Sequence, residues 1–243
     1  MRDGLLLLVL TAAAPLLHAA VDLIIDTDMS VDVDDVGALC TAHALANTGE
    51  ANILAITHDT ANEYGVGAIS AINHYYGRDN IPIGAYRGEV GDADQTPSYW
   101  EDWTNQGIGH YTKDIATSFD TTAVQKSKPA ASTGLPVPDA VAVLRATLAT
   151  ANRKSVTIAA IGHATNLFAL LNTRADGVSP LSGRDLVANK VKDLVWMGGS
   201  FRDSHRVEWN FGAYVRHKRM LNPMRAVACS CPTLLFLCLM SPP

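Results

Sequence analysis

Five aspartates lie within ten residues near the start of the chain, in the segment DTDMSVDVDD: Asp26, Asp28, Asp32, Asp34 and Asp35. Unpaired, five carboxylates this close together would repel one another and destabilise the fold. A hard divalent cation with oxygen ligands removes that repulsion. Because no His or Cys belongs to the cluster, the segment predicts Ca²⁺ rather than Zn²⁺.

A solvated acidic loop that begins a helix is the alternative interpretation of this segment. Acidic residues are favoured in the first turn of a helix, which accounts for Asp34 and Asp35. It does not account for Asp26 and Asp28, which come at the end of a buried strand. The metal site is therefore the favoured interpretation. An EF-hand loop does not fit, because the segment lacks the central Gly and the terminal Glu of that motif.

The elements that must position these aspartates follow an alternating pattern. Short apolar runs predict strands at 21–27, 53–57, 81–85, 155–161 and 191–197. Helical patterns lie between them at 34–46, 63–76, 139–151 (capped by Asp139) and from 166 to 171. Strands that alternate with helices indicate an α/β fold, with an open, mostly parallel sheet and helices on both faces. Residues 88–138 lack such a pattern and are expected to form a long connection.

Polar residues follow several of these strands, at the edge of a parallel sheet where ligands bind. They are Asn62 in the segment 58–62, Thr165 in the segment 162–166, and Glu208 and Asn210 after the strand that ends at Met197. Each has a plainer interpretation as well. Asn is a preferred helix cap, so Asn62 could simply cap the helix that follows it. Thr165 could be no more than the start of a helix, and a lone His such as His163 is more often a structural residue.

The two ends of the chain differ from the middle. Residues 1–20 have the three-part form of a signal peptide, with Arg2, an apolar run and a cleavage site after Ala19, so a secreted protein is expected. Residues 212–243 form an apolar tail that holds three of the four cysteines and shows no helix or strand period. The apolar runs at both ends are too short to predict a stable membrane span. A net charge of −5 argues against a nucleic-acid partner.

Four segments, in order, resemble the inosine/uridine-preferring nucleoside hydrolase family. The first is the DTDMxxDxDDxGAL form of its N-terminal signature, from Asp26 to Leu39. Ile53–Asn62, Val156–Leu170 (VTIAAIGHATNLFAL) and Val195–Phe211 follow it. The resemblance covers about residues 21–211, which we predict to be one incomplete domain of this family. It implies hydrolysis of the N-glycosidic bond of a ribonucleoside to ribose and free base, with Ca²⁺ as cofactor.

The resemblance also implies roles for single residues. Asp28 would bind calcium and act as the general base for the attacking water. The other implied roles are calcium ligation by Asp34, Asp35 and the backbone carbonyl of Thr165; ribose binding by Asp34, Asn62, Glu208 and Asn210; a pocket wall from Met197; and support of the loop by Asp26. The two-residue insertion brings Asp32 into play as a replacement for one of the Asp34/Asp35 pair. The family usually has Pro where this chain has His163.

Two other functions stay open on the sequence alone. After Phe211 the similarity stops, and the later Asp and His that the family supplies are not expected here, which allows a non-catalytic nucleoside- or calcium-binding protein. The Asp26-x-Asp28 pair after a first strand also resembles a haloacid-dehalogenase-type phosphatase with Asp26 as nucleophile, although the acidic motif expected after a later strand is missing. Base preference, the acid for the leaving group and a homo-oligomeric state stay open as well.

Overall fold

A computed structural model describes residues 19–30, 32–60, 62, 64–87, 110–118, 137–198, 210 and 233–237. In these ranges the strands are β1 (Val21–Thr27), β2 (Ala51–His58), β3 (Ile83–Ala85), β4 (Val156–Ala160), β5 (Val191–Met197) and β6 (Thr233–Leu237). The helices there are α1 (Asp34–Asn47), α2 (Gly65–Tyr75), α3 (His110–Ser118), α4 (Ala140–Thr150), α5 (Thr165–Leu171) and α6 (Gly183–Lys190). None of these helices is both long enough and apolar enough to cross a membrane.

The strands form one parallel sheet in the order β3-β2-β1-β4-β5-β6. The first strand in sequence therefore lies in the middle of the sheet, between β2 and β4. The chain builds outward in one direction from β1 to β3 and in the other from β4 to β6. In open α/β sheets, ligands bind in a crevice at the carboxyl ends of the strands where the strand order reverses. The topology confirms the predicted α/β fold, and the ends of β1 and β4 are the place where that rule predicts the crevice.

Apolar side chains alternate between the two faces of the sheet because successive residues of a strand point to opposite sides. Ile24 belongs to a buried cluster with Leu144, Leu167 and Leu186, which come from α4, α5 and α6. The next residue, Ile25, belongs to a second cluster that is formed mainly with α1 and α2. Helices thus cover both faces, and the sheet they enclose is a rigid base for the loops at its edge.

Arg145 of α4 fixes the connection between α5 and α6. Its side chain is buried and forms a two-point ion pair with Asp176, with N···O distances of 2.8 and 2.9 Å. It also donates to the Thr173 hydroxyl and to the carbonyls of Ser179 and Leu181. This hydrogen bonding lowers the pKa of Asp176 to about 2. One guanidinium thus donates to four residues of a connection that has no regular secondary structure.

The predicted elements agree with the structure at β1 and β5, and their ends differ by one or two residues at most other elements. Asp139 caps α4 as expected, since its Oδ1 accepts from the backbone N–H groups of Val141 and Ala142. Three elements were not predicted. Helix α3 lies within the segment 88–138, α6 lies in a mostly polar stretch, and β6 lies in the tail, where the expectation of no strand was wrong for Thr233–Leu237.

Candidate active site

The polar residues that follow β1, β2 and β4 meet at one edge of the sheet. Backbone hydrogen bonds continue past the ends of the strands and hold these segments side by side. The Asp59 N–H donates to the Thr27 carbonyl at 2.9 Å, and the Ile161 N–H donates to the Asp26 carbonyl at 2.8 Å. Residues 28, 59 and 162–163 therefore leave the sheet next to one another.

Asp26 is the buried anchor of this edge. One of its carboxylate oxygens accepts from the Thr57 hydroxyl at 2.5 Å and from the Asn166 amide at 2.8 Å. Asn166 also donates to the His58 carbonyl at 3.1 Å. Burial raises the pKa of Asp26 to about 7, although the two hydrogen bonds oppose this shift. Asp26 thus ties β1, β2 and α5 together.

Asp35 is buried in the first turn of α1 and faces the end of β1. Its carboxylate accepts from the Thr27 hydroxyl at 2.5 Å. Burial raises its pKa to about 8; the Thr27 hydrogen bond opposes the shift, and the nearby charges of Asp34 and Asp32 add to it. The group is therefore ready to be neutralised, by a proton or by a cation.

Asp32, Asp34 and Asp35 each bring one carboxylate oxygen into a group whose atoms lie within 4.8 Å of one another. Asp32 and Asp34 are exposed, so the group opens to solvent on one side. Tyr111 of α3 holds the loop from the other side, because its hydroxyl donates to the Asp32 carbonyl oxygen at 2.5 Å. Burial, followed by the charges of these aspartates, raises the pKa of Tyr111.

Asp28 lies deeper in the crevice, and 13% of its side chain is exposed. Burial raises its pKa well above the usual range, the charge of Asp35 raises it further, and His163 lowers it. The His163 Nδ1 atom is 3.4 Å from the Asp28 Oδ2 atom and 3.6 Å from the Asp59 Oδ1 atom. Asp28 therefore has carboxylates on one side and an imidazole on another.

Asp59 is fully buried, and neither of its carboxylate oxygens has a hydrogen-bond partner among the described residues. Burial raises its pKa well above the usual range, the charges of Asp26 and Asp35 raise it further, and the His163 backbone lowers it. A buried carboxylate with so little hydrogen bonding is costly unless a charge compensates it. Asp59 thus adds to the negative charge that the edge must neutralise.

Gly162 makes the close approach of these groups possible. A Cβ atom at this position would lie 2.4 Å from Asp59 Oδ2, 2.5 Å from the Asp28 backbone nitrogen and 2.8 Å from Asp28 Cβ. The Gly162 carbonyl also accepts from the Trp196 indole N–H at 3.3 Å, which links it to β5. Any side chain at residue 162 would push Asp28 and Asp59 away from the strand ends.

The donor set fits a hard divalent cation. Buried carboxylate oxygens lack hydrogen-bond partners at Asp26 and Asp59 within the described part of the chain, and three more carboxylates cluster within reach of a single ion. Carboxylates that raise one another's pKa are repelling one another, and a divalent cation removes that repulsion.

Comparison with known proteins assigns the chain. The family model described as "Inosine-uridine preferring nucleoside hydrolase" matches residues 23–213. The chain belongs to the inosine-uridine preferring nucleoside hydrolase family. Members of this family are metal-dependent glycosidases. A search of curated proteins gave no match.

Several solved structures share the fold of this family member. An inosine-uridine preferring nucleoside hydrolase from Bacillus anthracis superimposes with a TM-score of 0.59 at 18% identity, over 91% of this chain and 65% of that one. The effector protein XOO4466 gives 0.63 at 18% identity, over 89% and 56%. The plant nucleoside hydrolase PpNRh1 gives 0.55 at 17% identity, over 90% and 59%. The chain thus spans less than two thirds of the length of these neighbours.

The structure places most of the residues that the family resemblance singled out. Asn62 caps α2, because its Oδ1 accepts from the N–H groups of Tyr64 and Gly65 at 2.8 and 3.1 Å. This is the capping contact of the plainer interpretation, and ribose binding by Asn62 stays a prediction. Thr165 is the first residue of α5, and its hydroxyl donates to the Asp59 carbonyl at 2.6 Å.

The residues that follow β5 are placed only in part. Asn210 donates from its amide to the carbonyls of Ile161 and Met197, at 3.2 and 2.9 Å, and so lies against the ends of β4 and β5. Met197 is the last residue of β5 and is half-buried. Glu208 lies outside the described residues.

Two residues at this edge, Asp59 and His163, are not among the site residues predicted from the sequence. Asp59 lies in the segment 58–62, from which the sequence predicts Asn62. The position of Asp59 directly after β2, the neighbour of β1, was the available signal. His163 has a structural role in the sequence-based prediction, yet its ring nitrogen lies 3.4 Å from the Asp28 carboxylate.

The phosphatase alternative loses support, because Asp26 is fully buried and hydrogen-bonded rather than open to a substrate.

Proposed function

We propose that the chain hydrolyses the N-glycosidic bond of ribonucleosides, with inosine and uridine as the first substrates to test, and that it holds Ca²⁺ to do so. The observation that carries the proposal is the gathering of Asp28, Asp35 and Asp59, with raised pKa values, at the strand-order reversal beside the acidic loop. A bound cation, or a reaction that develops positive charge, explains such a gathering of carboxylates.

Asp28 is the proposed general base. It is the buried carboxylate of the crevice that keeps some exposure, so a water can reach it. A general base works best when its pKa lies near the working pH, and burial and the charge of Asp35 move the pKa of Asp28 in that direction. Asp28 would take the proton of the attacking water, and His163 and Asp35 on either side would limit the rotation of its carboxylate.

The aspartates would also stabilise the sugar as the bond breaks. Cleavage of a glycosidic bond passes through an oxocarbenium-like state with positive charge on the ribose. Fixed negative groups around the sugar lower the energy of that state. Exposed Asp34, with Asn62, Met197, Glu208 and Asn210, would bind the ribose, so recognition of the common sugar would leave the base free to vary.

Asp28, Asp35, the Thr165 carbonyl and either Asp34 or Asp32 would hold the cation. An all-oxygen set with several carboxylates suits Ca²⁺. When bound, the ion would orient a water and the ribose hydroxyls and lower the pKa of that water. Thr27 supports the set, since its hydroxyl fixes the Asp35 carboxylate.

Release of ribose from inosine and uridine tests this proposal. The purified full chain is assayed with Ca²⁺ and with EDTA, beside Asp28→Asn as a variant of matched size. We expect Ca²⁺-dependent ribose release that Asp28→Asn lowers by at least 100-fold, a drop typical for loss of a general base. Calcium binding without ribose release would favour the non-catalytic binding protein instead. Neither binding nor release would reject both functions.

We also propose that the chain is secreted. The proposal rests on the three-part pattern of residues 1–20. N-terminal sequencing of protein collected from the medium of a secreting host should begin at Ala20. Protein that stays inside the cell with Met1 in place would contradict it.

A further inference from the structure

One imidazole nitrogen lies between two carboxylates in the crevice. The His163 Nδ1 atom is 3.4 Å from Asp28 Oδ2 and 3.6 Å from Asp59 Oδ1. His163 is 4% exposed, and this nitrogen has no hydrogen-bond partner among the described residues. Both separations exceed the usual N–H···O distance by about 0.5 Å, so a small shift and turn of the ring would bring Nδ1 into hydrogen-bond geometry with either carboxylate.

Asp59 is the fixed member of this trio. Its backbone N–H donates to the Thr27 carbonyl at 2.9 Å, and its own carbonyl accepts from the Thr165 hydroxyl at 2.6 Å. Gly162 lies against both Asp59 and Asp28 and leaves no room for either to shift into its place. Asp28 lies on the exposed side of the trio, in the loop that leaves β1. Of the two carboxylates, Asp28 therefore has the greater freedom to adjust.

The two carboxylates near His163, those of Asp59 and Asp28, lie in different environments. A fully buried carboxylate attracts nearby N–H groups strongly. The backbone of His163 already lowers the pKa of Asp59, and the His163 ring nitrogen lies 3.6 Å from Asp59 Oδ1, so the charge of Asp59 favours a ring turned toward it. Asp28, in contrast, must present its oxygens to water and to a cation in one fixed orientation. A donor from the protein side would supply that orientation, as groups behind metal ligands do.

We propose that His163 is a positioning residue for Asp28, donating from Nδ1 to Asp28 Oδ2, while the Asp59 carboxylate, 3.6 Å from the same nitrogen, favours this ring orientation by charge alone. This inference rests on the proposed function, because it takes Asp28 as the base and cation ligand. It adds a pair, His163 and Asp59, that would determine how well Asp28 does either task.

Three substitutions of His163 distinguish the effect of its hydrogen-bond donor from the effect of its side-chain volume. Asparagine places an amide nitrogen close to where Nδ1 lies, glutamine places one close to Nε2, and leucine fills a similar volume without a donor. We expect His163→Leu and His163→Gln to weaken Ca²⁺ and Tb³⁺ binding and to lower kcat by about 10- to 100-fold, with little change in KM. His163→Asn should recover most of that loss in both measurements.

Asp59 supplies an independent check. We expect Asp59→Asn to weaken Tb³⁺ binding in the same direction. In the His163→Leu background the same change should have little further effect, since residues that act through one another are not additive. Thermal melting confirms that each variant folds before its binding is compared.

The outcomes distinguish this inference from the proposed function. Equal Tb³⁺ binding and equal kcat in wild type and His163→Leu would overturn it, as would a His163→Asn variant as weak as leucine in a folded protein. If the wild type binds Tb³⁺ without releasing ribose, the hydrolase proposal fails, and the binding series alone decides the role of His163. A wild type that binds no ion overturns both.

Discussion

Gly162 occupies a position with no room for a methyl group, so we predict that Gly162→Ala disables the site. The added Cβ would lie 2.5 Å from the Asp28 backbone nitrogen and 2.4 Å from Asp59 Oδ2. Relief to an ordinary contact moves the Asp28 backbone by about 1 Å, and a displacement of that size costs roughly 100-fold in rate. Overpacking adds a loss of about 1–3 kcal/mol in the free energy of unfolding.

The assay is kcat/KM for ribose release together with urea denaturation of the same preparation. Gly37→Ala is the control: Gly37 lies in α1, two residues after Asp35, and a Cβ there meets no atom within 4 Å. Alanine should stabilise that helix by about 0.5–1 kcal/mol and leave the rate near that of the wild type. A Gly162→Ala variant with wild-type stability and wild-type rate would refute the packing described for this edge.

Three further predictions concern stability. First, in EDTA the free energy of unfolding should fall as the pH rises from about 6 to about 8, because folded Asp26 and Asp35, with pKa values of about 7 and about 8, hold protons that the unfolded chain has already released. Melting temperatures measured across this range should therefore fall in EDTA and fall less with Ca²⁺. A melting temperature that rises with pH in EDTA would contradict these protonation states. Second, Asp26→Asn keeps an acceptor for Thr57 and Asn166 and removes a buried charge, so its melting temperature at about pH 8 should equal or exceed that of the wild type. Asp26→Ala, measured beside it, should lose about 1–3 kcal/mol. Third, Arg145→Ala should lose about 1–3 kcal/mol in urea denaturation, because it leaves the carbonyls of Ser179 and Leu181 without this donor, whereas the exposed Asp176 carboxylate returns to water. Unchanged stability would show that the α5–α6 connection does not depend on Arg145.

Sequence patterns predicted the parts of the fold that depend on local apolar runs. Strands β1 and β5 begin and end where expected, because each is a run of residues bounded by polar turns. Helix α6 was missed because its apolar residues, Leu186 and Val187, are too few to show a period, although Ser182 caps it through a hydrogen bond to the Asp185 N–H. Helix α3 has the same difficulty, with Tyr111 and Ile115 as its apolar contacts to the core.

The part of the candidate site that could be predicted from the sequence is the set of aspartates that directly follow β1. The aspartates after β1 are neighbours in sequence, and their carboxylates repel whatever the fold. The contributions of Asp59 and His163 depend on β2 and β4 lying on either side of β1, which is a long-range pairing. Only the strand order brings residues 28, 59 and 163 together, so no pattern local to one segment could reveal the trio.

Calorimetric titration of Ca²⁺ into the purified chain measures directly whether the aspartates after β1 hold an ion. We expect one ion bound per chain, a loss of at least tenfold in affinity for Asp35→Asn, and near wild-type affinity for Asp176→Asn, an aspartate far along the chain that pairs with Arg145. No bound ion, or an ion whose affinity is the same in Asp35→Asn as in the wild type, would contradict it.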